Sequence, residues 1–173
     1  MVLLSMVDRW IARLEKTIVS ACMIIMAGVL LASVICRRLD IVMVGGEEIA
    51  QFTVVWLTFW GMALCARKGS HIIMSAVVDM LPREKKKWLI TAACLVCGLF
   101  CLLLSSYAFD LTWKVFNRGQ VTPALRIPIW YMYSSAPAGF FLTGVYYLGG
   151  FINNLRSPRL HYGLEPDTAE EMA

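Results

Sequence analysis

The chain has 173 residues, of which 59% are hydrophobic and 16% charged, and its net charge is +4. Ordinary soluble domains carry about 25% charged residues, so the deficit argues against a soluble fold, and the length leaves no room for a separate soluble domain. No nucleic-acid partner is expected, and in a membrane setting the side on which the cations lie matters more than their total.

Residues 1–16 place Leu4, Val7, Ile11 and Leu14 at spacings of three and four, with Trp10 beside them and Asp8, Arg9, Arg13, Glu15 and Lys16 filling much of the rest. The pattern predicts an amphipathic helix on the membrane surface. The alternative is a cytosolic lead-in turn to the first span. Thr17–Cys36 is a twenty-residue run without a charge, closed by Arg37 and Arg38. It exceeds the apolar run of a cleavable signal peptide and reads as an uncleaved first span.

Gly45 and Gly46 are expected to break the helix before a second span, Ile49–Ala66, which Glu47 and Glu48 precede and Arg67, Lys68 and His71 follow. Eighteen residues in helical form are about 27 Å long, close to the hydrocarbon thickness of a bilayer. Residues 72–81 are apolar except for Ser75 and Asp79, too short to span, and read as a short interfacial helix with His71, Ser75 and Asp79 on one stripe.

A third apolar run, Trp88–Phe109, is expected to continue as helix toward Asn117 and to stop at Gly119. Thr122 to Pro128 reads as a proline-bracketed turn. A fourth span follows at about residues 129–152, with Trp130, Tyr131 and Tyr133 at one interface, Tyr146 and Tyr147 at the other, and Pro137 inside as an expected kink. Residues 156–173 read as a polar, disordered cytoplasmic tail. The expected fold is therefore an all-α integral membrane protein. Residues 1–155 form one domain of four transmembrane helices (17–36, 49–66, 88–109, 129–152), with the two extra helices at the N-terminus and between spans 2 and 3. Eleven of the 16 Lys and Arg residues lie in the N-terminal segment, the loop after span 2 and the tail. The positive-inside rule then puts both termini in the cytoplasm. Arg37 and Arg38 run against the trend.

Each chemical motif has a plainer reading beside it. Glu47 and Glu48 sit where an acid favours the positive end of a helix dipole, or where a partner subunit is contacted. Arg67, Lys68 and His71 suit a helix C-terminus and lipid phosphates. His71 with Asp79 is too sparse for a metal site. Cys94 and Cys97 have redox-like spacing, but all six cysteines lie in or at the end of uncharged runs, where a thiol packs as a small hydrophobe. Gly139, Gly149 and Gly150 read as helix-packing positions. No nucleophile triad, phosphate loop or dinucleotide fingerprint is present, so no enzyme activity and no cofactor are expected.

Two blocks together resemble a known family. The first is Glu47-Glu48, the aromatic span with Trp56 and Trp60, Arg67-Lys68, Gly69-Ser70-His71, and Asp79-Met80-Leu81-Pro82; the second is Thr122-Pro123-Ala124-Leu125, Ile127-Pro128, Trp130, and Pro137 with Gly139-Phe140. In order, spacing and length they resemble the small membrane subunit (Q-type, DctQ-like) of TRAP transporters, the tripartite ATP-independent periplasmic solute transporters. Members often carry a base near Ile73 and an acid near Ser75, where this chain is uncharged. The resemblance implies a bacterial inner-membrane scaffold subunit of a sodium-coupled, binding-protein-dependent importer of an organic acid (a C4-dicarboxylate, sialic acid or other sugar acid). The implied partners are a large multi-spanning membrane subunit, which carries the solute, a periplasmic binding protein, and membrane lipids. Glu47, Glu48, Arg67, Lys68, His71, Asp79, Trp130 and Pro137 are the candidate partner or lipid interface. The rival readings are a small proton-coupled exporter, which needs an acid well inside a span, and a four-helix membrane thiol oxidoreductase, which needs accessible cysteine pairs.

Overall fold

Where water is excluded, a backbone has to satisfy its N–H and C=O groups internally, and helices do so within each segment. The computed structural model of the chain describes residues 2–41, 44–67 and 83–156. Its elements are α1 (Val2–Arg38), α2 (Gly46–Arg67), α3 (Arg83–Arg118), α4 (Trp130–Tyr133) and α5 (Ser135–Arg156). The expected interfacial helix, with Lys68, His71 and Asp79, lies outside the described residues, as does the tail.

α1 runs unbroken for 37 residues. The amphipathic segment and the first span are one rod and not two helices, because no proline and no glycine before Gly28 interrupts them. The Thr17 hydroxyl donates to Arg13 O at 2.8 Å across the junction. α1 ends where Asp40 takes φ +54° and Ile41 N–H reaches back to Cys36 O at 2.9 Å, the left-handed stop that Asp tolerates. Gly45, at φ +84°, starts α2, and Ile49 N–H bonds Gly45 O at 3.1 Å. Thr53 and Thr58 return their hydroxyls to Ile49 O and Val54 O at 2.7 and 2.8 Å, so neither brings an unmet polar group into the span. α3 extends over 36 residues: it begins ahead of the expected Trp88, at Arg83, and continues past Phe109 to the expected stop at Gly119, with φ +59°.

Among the described residues, three helices are long and apolar enough to cross a membrane: Trp10–Arg38, Gly46–Arg67 and Lys87–Arg118. The expected fourth span corresponds to α5, which has 22 residues. It mixes apolar residues with glycines, tyrosines and paired asparagines. The expected kink at Pro137 is also not what forms. The helix is already interrupted at Ser134, so Pro137 falls in the first turn of α5, where its missing N–H breaks no bond of the helix.

The chain falls into two compact units, Met1–Gly61 with Tyr107–Ala138 and Met62–Ser106 with Gly139–Ala173. In the first, α1 leaves its apolar window wholly unburied, and Glu15 is its one fully enclosed side chain among those described. In the second, Ala63 and Ala66, Ile90 and Cys94, and Thr143, Tyr146, Tyr147 and Asn154 are buried, each set at helical spacing on one face. α3 and α5 cross there at two glycines. A Cβ on Gly144 would lie 2.9 Å from the Leu102 branch point and 3.2 Å from Gly98 O, and one on Gly98 would lie 3.1 Å from Leu148. The sequence reading named Gly139, Gly149 and Gly150 for packing; Gly139 and Gly150 are buried and Gly149 half-buried, but the close approach occurs at Gly98 and Gly144.

Gly144→Ala should destabilise the chain by about 1–3 kcal/mol through overpacking. Gly61→Ala is the control, since nothing lies within 4 Å of a Cβ there. Thermal unfolding in detergent should show a lower midpoint for the first and an unchanged or higher one for the second.

Candidate functional site

The Thr122–Pro128 turn must close on itself at the end of a long helix, and its backbone does most of the work. Thr122 N–H bonds Ile127 O at 2.9 Å, Arg126 N–H bonds Thr122 O at 3.1 Å, and the Thr122 hydroxyl accepts Ile127 N–H at 3.1 Å. Val121 and Pro128 form an isolated antiparallel bridge. Arg126 takes φ +52°. Two N–H groups are left pointing out of this turn, those of Ala124 and Leu125. The Glu48 carboxylate takes both: Oε1 accepts Ala124 N–H at 2.7 Å and Oε2 accepts Leu125 N–H at 2.9 Å. The Thr122 side chain bonds the same carboxylate. One ionised side chain thus clamps a turn 76 residues away, in the arrangement by which consecutive backbone N–H groups hold an anion.

Gly45 belongs to the same junction. A Cβ there would stand 2.6 Å from Leu125 Cγ, and the φ of +84° already favours glycine. Further along, Trp56 Nε1–H donates to Tyr131 O at 3.2 Å, and Trp56 stacks on Trp60 with centroids 6.4 Å apart. Pro137 cannot donate to the carbonyl four residues back, Tyr133 O. The Thr112 hydroxyl sits 3.2 Å from that oxygen and 2.8 Å from Ala108 O of its own helix, so α3 reaches the end of α4. Trp130 is half-buried in a run of rings. Trp113 stacks on Phe116 at 5.7 Å, Phe116 meets Trp130 edge-on at 5.4 Å, and Trp130 stacks on Tyr131 at 3.9 Å.

Arg67 lies in the other unit and is turned inward, with 2% of its surface exposed. Its Nη1 donates to Tyr146 Oη at 3.4 Å, and its guanidinium lies 5.4 Å from the centroid of that ring. Such a cation is tolerable inside only with partners of this kind.

The candidate residues therefore separate. Glu47 is exposed, Glu48 and Arg67 hold internal contacts, Trp130 joins the ring run, and Pro137 starts α5. The sequence reading missed Gly45's contact with Leu125, and also Thr112, Tyr131 and Tyr146. Among the described residues no group of three or more His, Cys, Asp or Glu is placed to hold a metal ion. The six cysteines, all among the described residues, form no disulfide, with Cys94 buried and Cys97 exposed on the same helix.

The family model for the DctQ component of tripartite ATP-independent periplasmic transporters matches residues 3–157. The chain belongs to that family. It is a transmembrane small permease subunit, a transporter component in which the two sequence blocks meet through Glu48. Among curated relatives, it is similar to the ectoine TRAP transporter small permease protein TeaB of Halomonas elongata, with 33% identity over 90% of this chain and 81% of the relative. It is similar also to the C4-dicarboxylate TRAP transporter small permease protein DctQ of Rhodobacter capsulatus, 22% identical over 56% of this chain and 43% of the relative. A third relative, the isethionate TRAP transporter permease protein DctMQ of Oleidesulfovibrio alaskensis, is 26% identical over 64% of this chain but only 17% of its own length.

For this small permease, Glu48→Ala should expose the Ala124 and Leu125 amides, seen as faster hydrogen exchange at those two positions. Glu48→Gln, which keeps one carbonyl oxygen, should give an intermediate rate. Glu47→Ala should leave both amides as protected as in the wild type.

Proposed function

We propose that the chain is the fixed scaffold of a sodium-coupled, binding-protein-dependent secondary transporter, and that a large multi-spanning partner carries the solute. The observation that carries this reading is the absence of any ionisable charged residue in the runs Thr17–Cys36, Ile49–Ala66 and Trp88–Phe109. A coupled carrier keeps such groups near the bilayer midplane. The DctMQ relative supports the partnership, since the segment like this chain is 17% of a longer permease. The relatives are named for ectoine, C4-dicarboxylate and isethionate. Solutes this different on related small permeases favour solute recognition outside this subunit. The proposed solute remains an organic acid, delivered by a periplasmic binding protein.

The proposed site is the bacterial inner membrane, with both termini cytoplasmic on the Lys and Arg asymmetry. The partner or lipid interface is proposed to include Glu47, Lys68, His71, Asp79, Trp130 and Pro137, with Glu48 and Arg67 setting the geometry behind it. The apolar surface of α1, none of whose spanning window is buried, faces lipid or the large subunit.

Co-purification from mild detergent tests the reading. A large multi-spanning protein should accompany the chain, and the chain alone in liposomes should transport nothing. Transport by the chain alone would instead favour the proton-coupled exporter. Loss of function in a Cys94→Ser, Cys97→Ser double variant that accumulates normally would favour the thiol enzyme.

A further inference from the structure

Arg37 closes the first apolar run on the side that carries few bases, and neither the clamp nor the scaffold reading uses it. In the structure it lines a cleft of about 720 Å³ between the end of α1 and the start of α2, together with Asp40, Glu47, Gln51 and the apolar Leu30 and Val34. The lining of the cleft combines both signs of charge with apolar side chains. Among the described residues no ion pair within 4.0 Å joins Arg37 to Asp40 or Glu47.

Beyond the cleft, α1 carries the line of Leu30 and Val34 on to Ala27 and Met23, which do not line it. Met23, Ala27, Leu30, Val34 and Arg37 follow one another at spacings of four and three, and all are exposed. They share one helix face. From Met23 to Arg37 that stripe runs about 21 Å, somewhat more than the roughly 15 Å of hydrocarbon in one leaflet. A track of this length below a polar cleft matches an acyl chain below its headgroup. An isolated ion or a soluble solute would leave the stripe without use.

We propose that this cleft binds a phospholipid whose phosphate is followed by a primary ammonium, a phosphatidylethanolamine. The Arg37 guanidinium takes the phosphate oxygens through N–H donors. Asp40 and Glu47 accept hydrogen bonds from the ammonium. A purely anionic headgroup brings negative charge toward those two carboxylates, which works against it. A trimethylated ammonium has no N–H to donate to them. The proposal rests on the membrane setting and not on the scaffold reading, so either can fail without the other.

Native mass spectrometry of the full chain, exchanged in mild detergent with equal phosphatidylethanolamine, phosphatidylcholine and phosphatidylglycerol, tests it. The wild type should retain phosphatidylethanolamine preferentially. Arg37→Ala should cut phospholipid retention about fivefold, the effect of one base at a lipid surface, whereas Arg38→Ala, outside the cleft, should not. Asp40→Asn with Glu47→Gln should abolish the preference over phosphatidylglycerol; Asn tolerates the φ of +54° at position 40, so the turn survives. Equal retention of the three lipids by the wild type, a preference for phosphatidylglycerol, or a pattern unchanged in the variants would overturn the assignment. So would a cleft filled by a segment of the large subunit in place of lipid.

Discussion

A carboxylate spanning two adjacent backbone N–H groups is the interaction on which the first unit depends. The Thr122–Pro128 turn satisfies most of its own backbone, but the geometry that closes it aims Ala124 and Leu125 N–H away from any internal acceptor. Both groups are exposed, and a carboxylate that accepts from each takes the place of water as their partner. Glu48 meets both at 2.7 and 2.9 Å. It sits in the first turn of α2, where a negative charge is already favoured by the helix dipole. One side chain thus stands at a favourable helix start and closes a distant turn. Gly45 follows from the same requirement, since any Cβ would strike Leu125 as the turn approaches α2.

Polar groups elsewhere are handled by the same economy. At the end of α4 the Thr112 hydroxyl from α3 lies 3.2 Å from Tyr133 O. The break at Ser134 lets Trp56 donate to Tyr131 O. In the second unit Arg67 points inward onto Tyr146, while Gly98 and Gly144 bring two helices close enough that leucines from each interlock. These contacts tie helices to one another within each unit, in keeping with a transporter component.

Local signals were legible in the sequence and distant ones were not. Gly45 and Gly119 mark the start of α2 and the end of α3 because positive φ leaves a composition signature. The continuity of α1 was missed because a change from amphipathic to uniformly apolar looks like a boundary, although no residue there can end a helix. The fourth span was expected from a stretch without charge, and α5 fills that stretch with 22 residues; its tyrosines also serve packing, as Tyr146 and Tyr147 show at 3% and 5% exposure. Glu48 could be flagged as an acid at a helix start, but its partners lie 76 and 77 residues away, and no spacing rule reaches that far. The resemblance of two blocks did imply that they belong together; the carboxylate is the physical reason.

If the clamp sets the surface that the large subunit meets, assembly should depend on it. The direct measurement is the amount of large subunit retained, and the rate of solute uptake, when the complete transporter carries Glu48→Ala in this chain. Retention and uptake should both fall, with Glu48→Gln between it and the wild type, while the chain itself still reaches the membrane. A Glu48→Ala transporter that keeps its large subunit at the wild-type ratio and transports at the wild-type rate would contradict the central claim.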